Sequence, residues 1–366
     1  MRMPYNTTRI AVLVTLLPAI AVAQESSTVF WKELPTATAV SFRGLHALNS
    51  SQAWACGSKG TVVSTSDGGQ TWAIRSIDGL QETELRSIHA WSAAELVVAT
   101  AGTPCRIYRS EDAGQSWRVV YENLDPHAFI NGMRFWNAGV GFAFGDPIAS
   151  RLMAWISEDR GRSWRESSLL PVPLATGEAG FAASNSSLLL FGEQSVWIGL
   201  GGAVGSAQVF MSDDRGASWQ RSAVPPISSG PSSGIFSLAR SPDGTVIAVG
   251  GDFMDPERET GNAAIFDPGT RQWHAPQGRP PRGYRSAIVY LPQPLAIAVQ
   301  SDRAERPALG LIRWIAVGPG GSDWSSDGEH WQPLSEEPFH ALSLAADGSL
   351  WASGARGRIA ISVQAP

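Results

Sequence analysis

An eight-residue pattern, S-x-D-x-G-x-S-W, returns along the chain and constrains its fold more than any other feature. It runs from Ser110 to Trp117, from Ser157 to Trp164 and from Ser212 to Trp219, and Thr65 to Trp72 is the same octet led by Thr. Asp267 to Trp273 carries a version one residue longer, and Ser325 to Trp331 one residue shorter. The six Asp residues (Asp67, Asp112, Asp159, Asp214, Asp267 and Asp327) stand 45 to 60 residues apart, a spacing that suits propeller blades and not a helical solenoid. Each octet reads as a hairpin turn. A short apolar strand enters, the Asp side chain accepts backbone N–H bonds across the turn, and Gly takes the positive-φ position. The Trp that follows starts the next strand and packs back over the turn. With one carboxylate per octet and no second ligand at metal spacing, these Asp residues read as structural fasteners and no metal site is expected.

Two further strands precede each turn, as in residues 42–48 (FRGLHAL) followed by 52–57, and 85–91 (LRSIHAW) followed by 95–101. Equivalent first strands are expected at 129–136, 180–186 (GFAASNS), 235–241, 284–291 and 339–345, which makes seven inner strands for six turns. The seventh unit stops at Ile361 without its Trp strand, and Val29-Phe30-Trp31-Lys32 has the character of that missing strand. The expected fold is therefore all-β, a seven-bladed β-propeller of four-stranded blades whose last blade is closed by both chain ends. Gly at 38 and Pro at 24 among 366 residues fit so turn-rich a chain. Residues 292–313 break the pattern as an insertion, a flap or extra hairpin, between the first two strands of blade six.

Arg2 and Arg9, the apolar run 10–20 and the Ala21-Val22-Ala23 cleavage pattern give residues 1–23 the three parts of a secretory signal peptide. The mature chain, 24–366, is expected to be a single propeller domain, periplasmic or secreted and not membrane-spanning. Two cysteines, Cys56 and Cys105, then lie in a compartment that permits disulfides, and the residues leave both a disulfide and two unpaired buried thiols open. Because they fall at corresponding ends of adjacent blades, where a Cα separation of about 5.5 Å is within reach, an intra-chain disulfide is the expectation. A formal charge of −5 supplies no basic field for a nucleic acid or an anionic membrane. Nearly every cation is Arg, only Lys32 and Lys59 being lysines, which suits planar bidentate contacts better than Schiff-base chemistry.

The octets are Asp boxes, the bacterial neuraminidase repeat, and their arrangement resembles the photosystem II stability/assembly factor-like propellers of non-photosynthetic bacteria. The resemblance extends to Gly145-Asp146-Pro147, Gly177-Glu178-Ala179, Ser233 to Phe236, Gly250-Gly251-Asp252, Gly283 to Ser286, Gly318 to Asp323 and Phe339-His340-Ala341. It covers roughly residues 28–363 and implies Asp boxes on the bottom face, between the third and fourth strands of each blade. It also places Arg43, Arg86, Glu178, Ser233, Tyr284, Arg285 and His340 at the opposite mouth of the central channel, with Asp146, Asp252 and Asp323 farther out on that face.

Arg43, Arg86 and Arg285 could converge there on a carboxylate, phosphate or sulfate. Alternatively they pair with Glu178, Asp146 and Asp252 and close the channel. Sialidases share Asp boxes, so Tyr284 and Glu178 raise the alternative of a sialidase-like glycoside hydrolase with a Tyr–Glu nucleophile. Against it, the Arg-Ile-Pro segment that opens sialidases is absent, and their six-bladed ring does not match seven units. Gly230 to Gly234 satisfies G-x-S-x-G around Ser232 without an elbow and helix, and Gly199 to Gly205 misses the dinucleotide fingerprint by one residue. No cofactor is therefore expected, and the name "oxidoreductase" carried by some of these relatives finds no support. Six dispersed His have no metal-ligand spacing, and the acidic loop 252–259 reads as solvated. The functional expectation is an exported, non-enzymatic binding or assembly propeller that recognises a polypeptide partner or a small anionic group at its top face.

Overall fold

Each full octet closes its hairpin with one set of bonds. In the second, Ser110 Oγ donates to Asp112 Oδ1 and accepts from Gly114 N at 2.8 Å, while Ser116 N donates to Asp112 Oδ1 at 2.9 Å. Ser116 Oγ donates to Asp112 Oδ2; in the second and fourth of these octets the indole adds a bond, Trp117 Nε1 to Gly114 O at 3.1 Å and Trp219 Nε1 to Gly216 O at 2.9 Å, which Trp72 and Trp164 do not make. The octet glycines Gly69, Gly114, Gly161 and Gly216 all have φ between 73° and 87°, a region that Gly alone enters without a Cβ penalty. The longer turn at Asp267 solves the problem differently: Gly269 donates to Asp267 Oδ1, and Arg271 takes the positive φ of 57°.

The computed structural model describes residues 30–136, 139–167, 174–299 and 308–363, so the expected signal peptide at 1–23 lies outside them. Within these residues, 28 strands form seven antiparallel four-stranded sheets, the blades of a seven-bladed propeller. In chain order their inner strands are Phe42–Ala47, Glu84–Ala90, Ile130–Phe135, Leu188–Phe191, Ser233–Arg240, Ala287–Val299 and Ala341–Leu344. The seventh blade takes its outermost strand, Trp31–Glu33, from the other end of the chain, with Trp31 opposite Ser362. Seven apolar clusters, each drawn from two adjacent blades, hold the ring together, the closing one joining Phe30 and Trp31 to Trp324, Phe339 and Leu350. Burial is thus repeated at every blade junction instead of growing into one large core.

The insertion is a hairpin. Ala287–Val299 and Ala308–Gly318 run on past blade six, with Leu295 opposite Ile312 and Val299 opposite Ala308. Leu295 and Ile312 anchor it in the cluster between blades six and seven.

Two expectations are corrected. No disulfide forms: Cys56 and Cys105 are both buried free thiols. Cys56 packs between blades one and two, Cys105 between blades two and three, so the sheet of blade two separates them. Residues 180–186 are not a strand either. The inner strand of blade four begins only at Leu188, and the chain before it is buried inside the channel.

Candidate functional site

The turn between the first and second strands of a blade bonds to that blade's own Asp box, as Ala113 N does to Ala94 O and Arg215 N to Gln194 O. Asp boxes and inner-strand ends therefore share one face, here the lower. The opposite, upper face collects the loops that lead into the inner strands. In blades one, two, three and five the ladder between the first two strands slips by one residue, with Phe42 and Gly44, for example, opposite Gly57 and Cys56. The extra residues of these bulges are Arg43, Arg86, Asn131 and Phe236. A bulge frees one residue from the ladder and re-aims its side chain. Here it turns two guanidiniums into the upper mouth.

What they meet is the segment 181–187, which crosses the channel as a plug. Arg86 Nη1 donates to Ala182 O at 3.1 Å, and Arg43 Nη1 to Ala183 O at 3.5 Å. Ser184 Oγ donates to Ser286 O at 2.6 Å, and Ser186 Oγ bonds Ser237 Oγ at 2.7 Å. Asn185 pairs with both backbone groups of Met133, its Oδ1 accepting at 2.7 Å and its Nδ2 donating at 2.9 Å. Five blades thus hold one stretch of small polar residues. The plug divides the channel into an upper mouth and a lower cavity of about 330 Å³.

Of the residues expected at the mouth, four gather there: Arg43, Arg86, Tyr284 and His340. Burial, with the Arg86 charge beside it, lowers the pKa of Arg43. Burial, then Arg43 and Arg86, brings His340 down to about 3 and keeps its imidazole neutral at physiological pH. Burial likewise raises the Tyr284 phenol. Glu84 is the carboxylate of this group, bound to Arg86 at 2.5–2.6 Å.

The other expected residues serve the framework. Arg285 is fully buried and bonds Asp323, itself buried, through Nε at 2.8 Å and through Nη2; Arg282 grips the other carboxylate oxygen at 2.7 Å. The three-arginine site is therefore a two-arginine site, and the counter-ions are Asp323 and Glu84 instead of Asp146, Glu178 and Asp252. Glu178 is buried against Arg221 at 3.0 Å and accepts from Ala175 N, so it does not form a nucleophilic pair with Tyr284, whose ring packs edge-on to Phe236 at 4.7 Å. Asp146 accepts from Asn131 Nδ2 at 2.7 Å, and burial raises its pKa. Ser233 belongs to the backbone seam between blades four and five, and Asp252 caps its own loop by accepting from Met254 N.

The fold also assembles an aromatic stack that no sequence motif marks. Phe181 of the plug lies on Phe236 at 4.2 Å, and Phe253 stands edge-on to both at 6.4 and 6.3 Å. Phe253 is 46% and Met254 74% exposed, within the loop read as merely acidic and solvated. Tyr284 and Phe236 thus form a buried aromatic cluster between the half-buried Arg43 and Arg86 and the exposed Phe253 and Met254. The lower cavity does leave a sequence signal: His46, His89 and Arg134 occupy the same place in 42–48, 85–91 and 130–136.

Comparison with known proteins agrees with this architecture. Residues 23–128 match the family described as Photosynthesis system II assembly factor YCF48, which covers the closing strand and the first two blades. No curated protein matches the chain. A solved structure of YCF48 bound to D1 peptide superimposes with a TM-score of 0.62 at 16% identity, over 92% of this chain and 97% of that one. The Pan2 WD40 domain of Neurospora crassa gives 0.60 at 12% identity, covering 92% and 97% of the two chains. A streptogramin B lyase gives 0.57 at 11% identity, covering 92% and 98%. The chain is thus YCF48-like in its opening blades and a propeller throughout.

Proposed function

We propose that this chain is an exported, non-catalytic propeller that binds a polypeptide across its upper mouth. An acidic group of that polypeptide seats against Arg43, Arg86 and His340, and an apolar side chain covers Phe253 and Met254. The observation that carries the reading is the continuity of the two chemistries. Glu84 pairs with Arg86, and Arg43 has no ion pair among the described residues, so the mouth carries surplus positive charge, and the Tyr284–Phe236 aromatic cluster links it to the exposed Phe253. A ligand that satisfies both at once is an extended peptide with an acidic side chain or a free C-terminus, which the planar guanidinium accepts as a pair of parallel bonds. The D1 peptide in the solved YCF48 structure supports this class of ligand. Arg2, Arg9 and the apolar run before Gln24 support export to the periplasm or beyond.

The test is selection from a displayed library of random peptides with free carboxyl termini, followed by binding of the selected peptides to variants. Arg43→Gln removes a charge-assisted bond worth about 1.5–3 kcal/mol and should weaken binding about ten- to a hundredfold. Its plug contact is long, at 3.5 Å, so the fold should survive. Phe253→Asp should weaken the same peptides through the apolar end. Peptides that bind both variants as well as the wild type would refute the reading.

A further inference from the structure

Below the plug, the channel wall has a composition that the upper mouth does not explain. The His46 and His89 rings meet edge to face at 4.4 Å, on equivalent places of adjacent inner strands. Arg134, one blade on, spends its Nε on the Asn185 carbonyl at 3.0 Å, while its two terminal nitrogens have no protein acceptor among the described residues. Arg240 and Tyr290 stand at the lower end, and Tyr290 Oη already accepts from Arg313. Among the described residues, no Asp or Glu lines this cavity. Two acidic groups in the turns of the lower face are engaged elsewhere, Glu95 by Arg109, Arg160 and Arg162, and Asp243 by Ser241 and Thr245.

The cavity is therefore cationic and without a counter-charge. Buried cations are paired in folded proteins because desolvation without a partner is costly. We propose that the lower cavity is a binding site for a small oxyanion, a carboxylate or a tetrahedral sulfate or phosphate, received by the Arg134 guanidinium and the His46 and His89 imidazoles together. At about 330 Å³ it has room for such an ion with several waters or for a larger molecule that carries one. The guanidinium fork supplies two parallel donors, and each imidazole one more.

Proton uptake follows from the same geometry. Burial first, then the Arg134 charge, brings His46 down to about 4; burial, then His46, Arg134 and Arg160, holds His89 well below its ordinary value. An anion between them offsets those charges and raises both values, so binding takes up protons and strengthens as pH falls.

The experiment follows the imidazole C–H signals of His46 and His89 in the full chain, assigned with His46→Gln and His89→Gln, during titration with sulfate and, separately, with succinate. Both signals should move, and sulfate, whose charge is constant in this range, should bind several-fold more tightly at pH 5.5 than at pH 7.5. Arg134→Gln should weaken binding at least tenfold, and Arg43→Gln, above the plug, should leave it unchanged. Response to succinate alone assigns a carboxylate ligand, and to sulfate alone a tetrahedral one; either supports the site. Signals that ignore both anions would overturn it, as would binding that Arg43→Gln abolishes and Arg134→Gln does not. The wild-type titration stands even if Arg134→Gln fails to fold. Peptide binding at the upper mouth is read by different variants, so the two proposals fail separately.

Discussion

Arg285→Met should destabilise the fold without touching ligand binding. Arg285 is fully buried and Asp323 1% exposed, and they are bonded through two guanidinium nitrogens. Removing one partner of a buried pair strands the other charge, at about 3–5 kcal/mol. Arg282 still reaches Asp323 through its Nε at 2.7 Å and its backbone N at 3.0 Å, which places the cost near the lower end, about 3 kcal/mol. For a chain of this size, whose unfolding entropy scales with length, that corresponds to a fall in melting temperature of about 4 °C. Calorimetry on the wild type, Arg285→Met, Asp323→Leu and the double variant checks it. The double variant should be less destabilised than the two singles together, by about 0.5–3 kcal/mol. A single variant that melts with the wild type, or one that loses peptide binding with no change in melting, would refute the structural assignment of Arg285.

Trp31→Ala should cost about 3–5 kcal/mol, since the ring is buried against Phe30 and Phe339 and its N–H bonds Ser322 Oγ at 3.1 Å; a variant that melts like the wild type would deny closure by both chain ends. Hydrogen bonds from the adjacent hydroxyl and backbone N–H hold Asp67 and Asp112 at about 2, so their stabilisation is complete above the ordinary carboxylate value of about 3.9 and is lost as pH falls toward 2. The melting temperature should therefore drop between about pH 4 and pH 2, and Asp112→Asn should flatten that slope. A thiol reagent should label neither cysteine in the folded chain and both in denaturant, because burial raises both thiols, Cys105 to about 12. Labelling of neither after unfolding without reductant would restore the disulfide.

The parts of the fold that the chain spells out locally were legible. Each octet contains its whole turn, with hydroxyl, carboxylate, glycine and Trp in fixed order, and the surplus inner strand pointed to Trp31 as the seventh blade's missing strand. The stretch 180–186 reads as an inner strand because GFAASNS is short, small and half apolar. Only the ring around it shows that small side chains are what a narrow channel admits. Arg43, Arg86 and Arg285 occupy one sequence position, yet the first two sit on bulges that aim them at the mouth, whereas Arg285 precedes the ladder of blade six, which begins at Ala287. Its partner, Asp323, lies 38 residues on, and sequence proximity does not register that pairing. Phe253 and Met254 were hidden by their neighbours, because an acidic loop reads as solvated whatever two apolar residues it presents.

The central claim is that the upper mouth is the polypeptide seat, and hydrogen exchange of the full chain with and without a library-selected peptide tests it most directly. Exchange should slow at the entries to blades one and two, around Arg43 and Arg86, and in the loops 230–234 and 251–260, while the Asp-box turns exchange as before. Protection confined to the Asp-box face or to the outer strands would contradict the account.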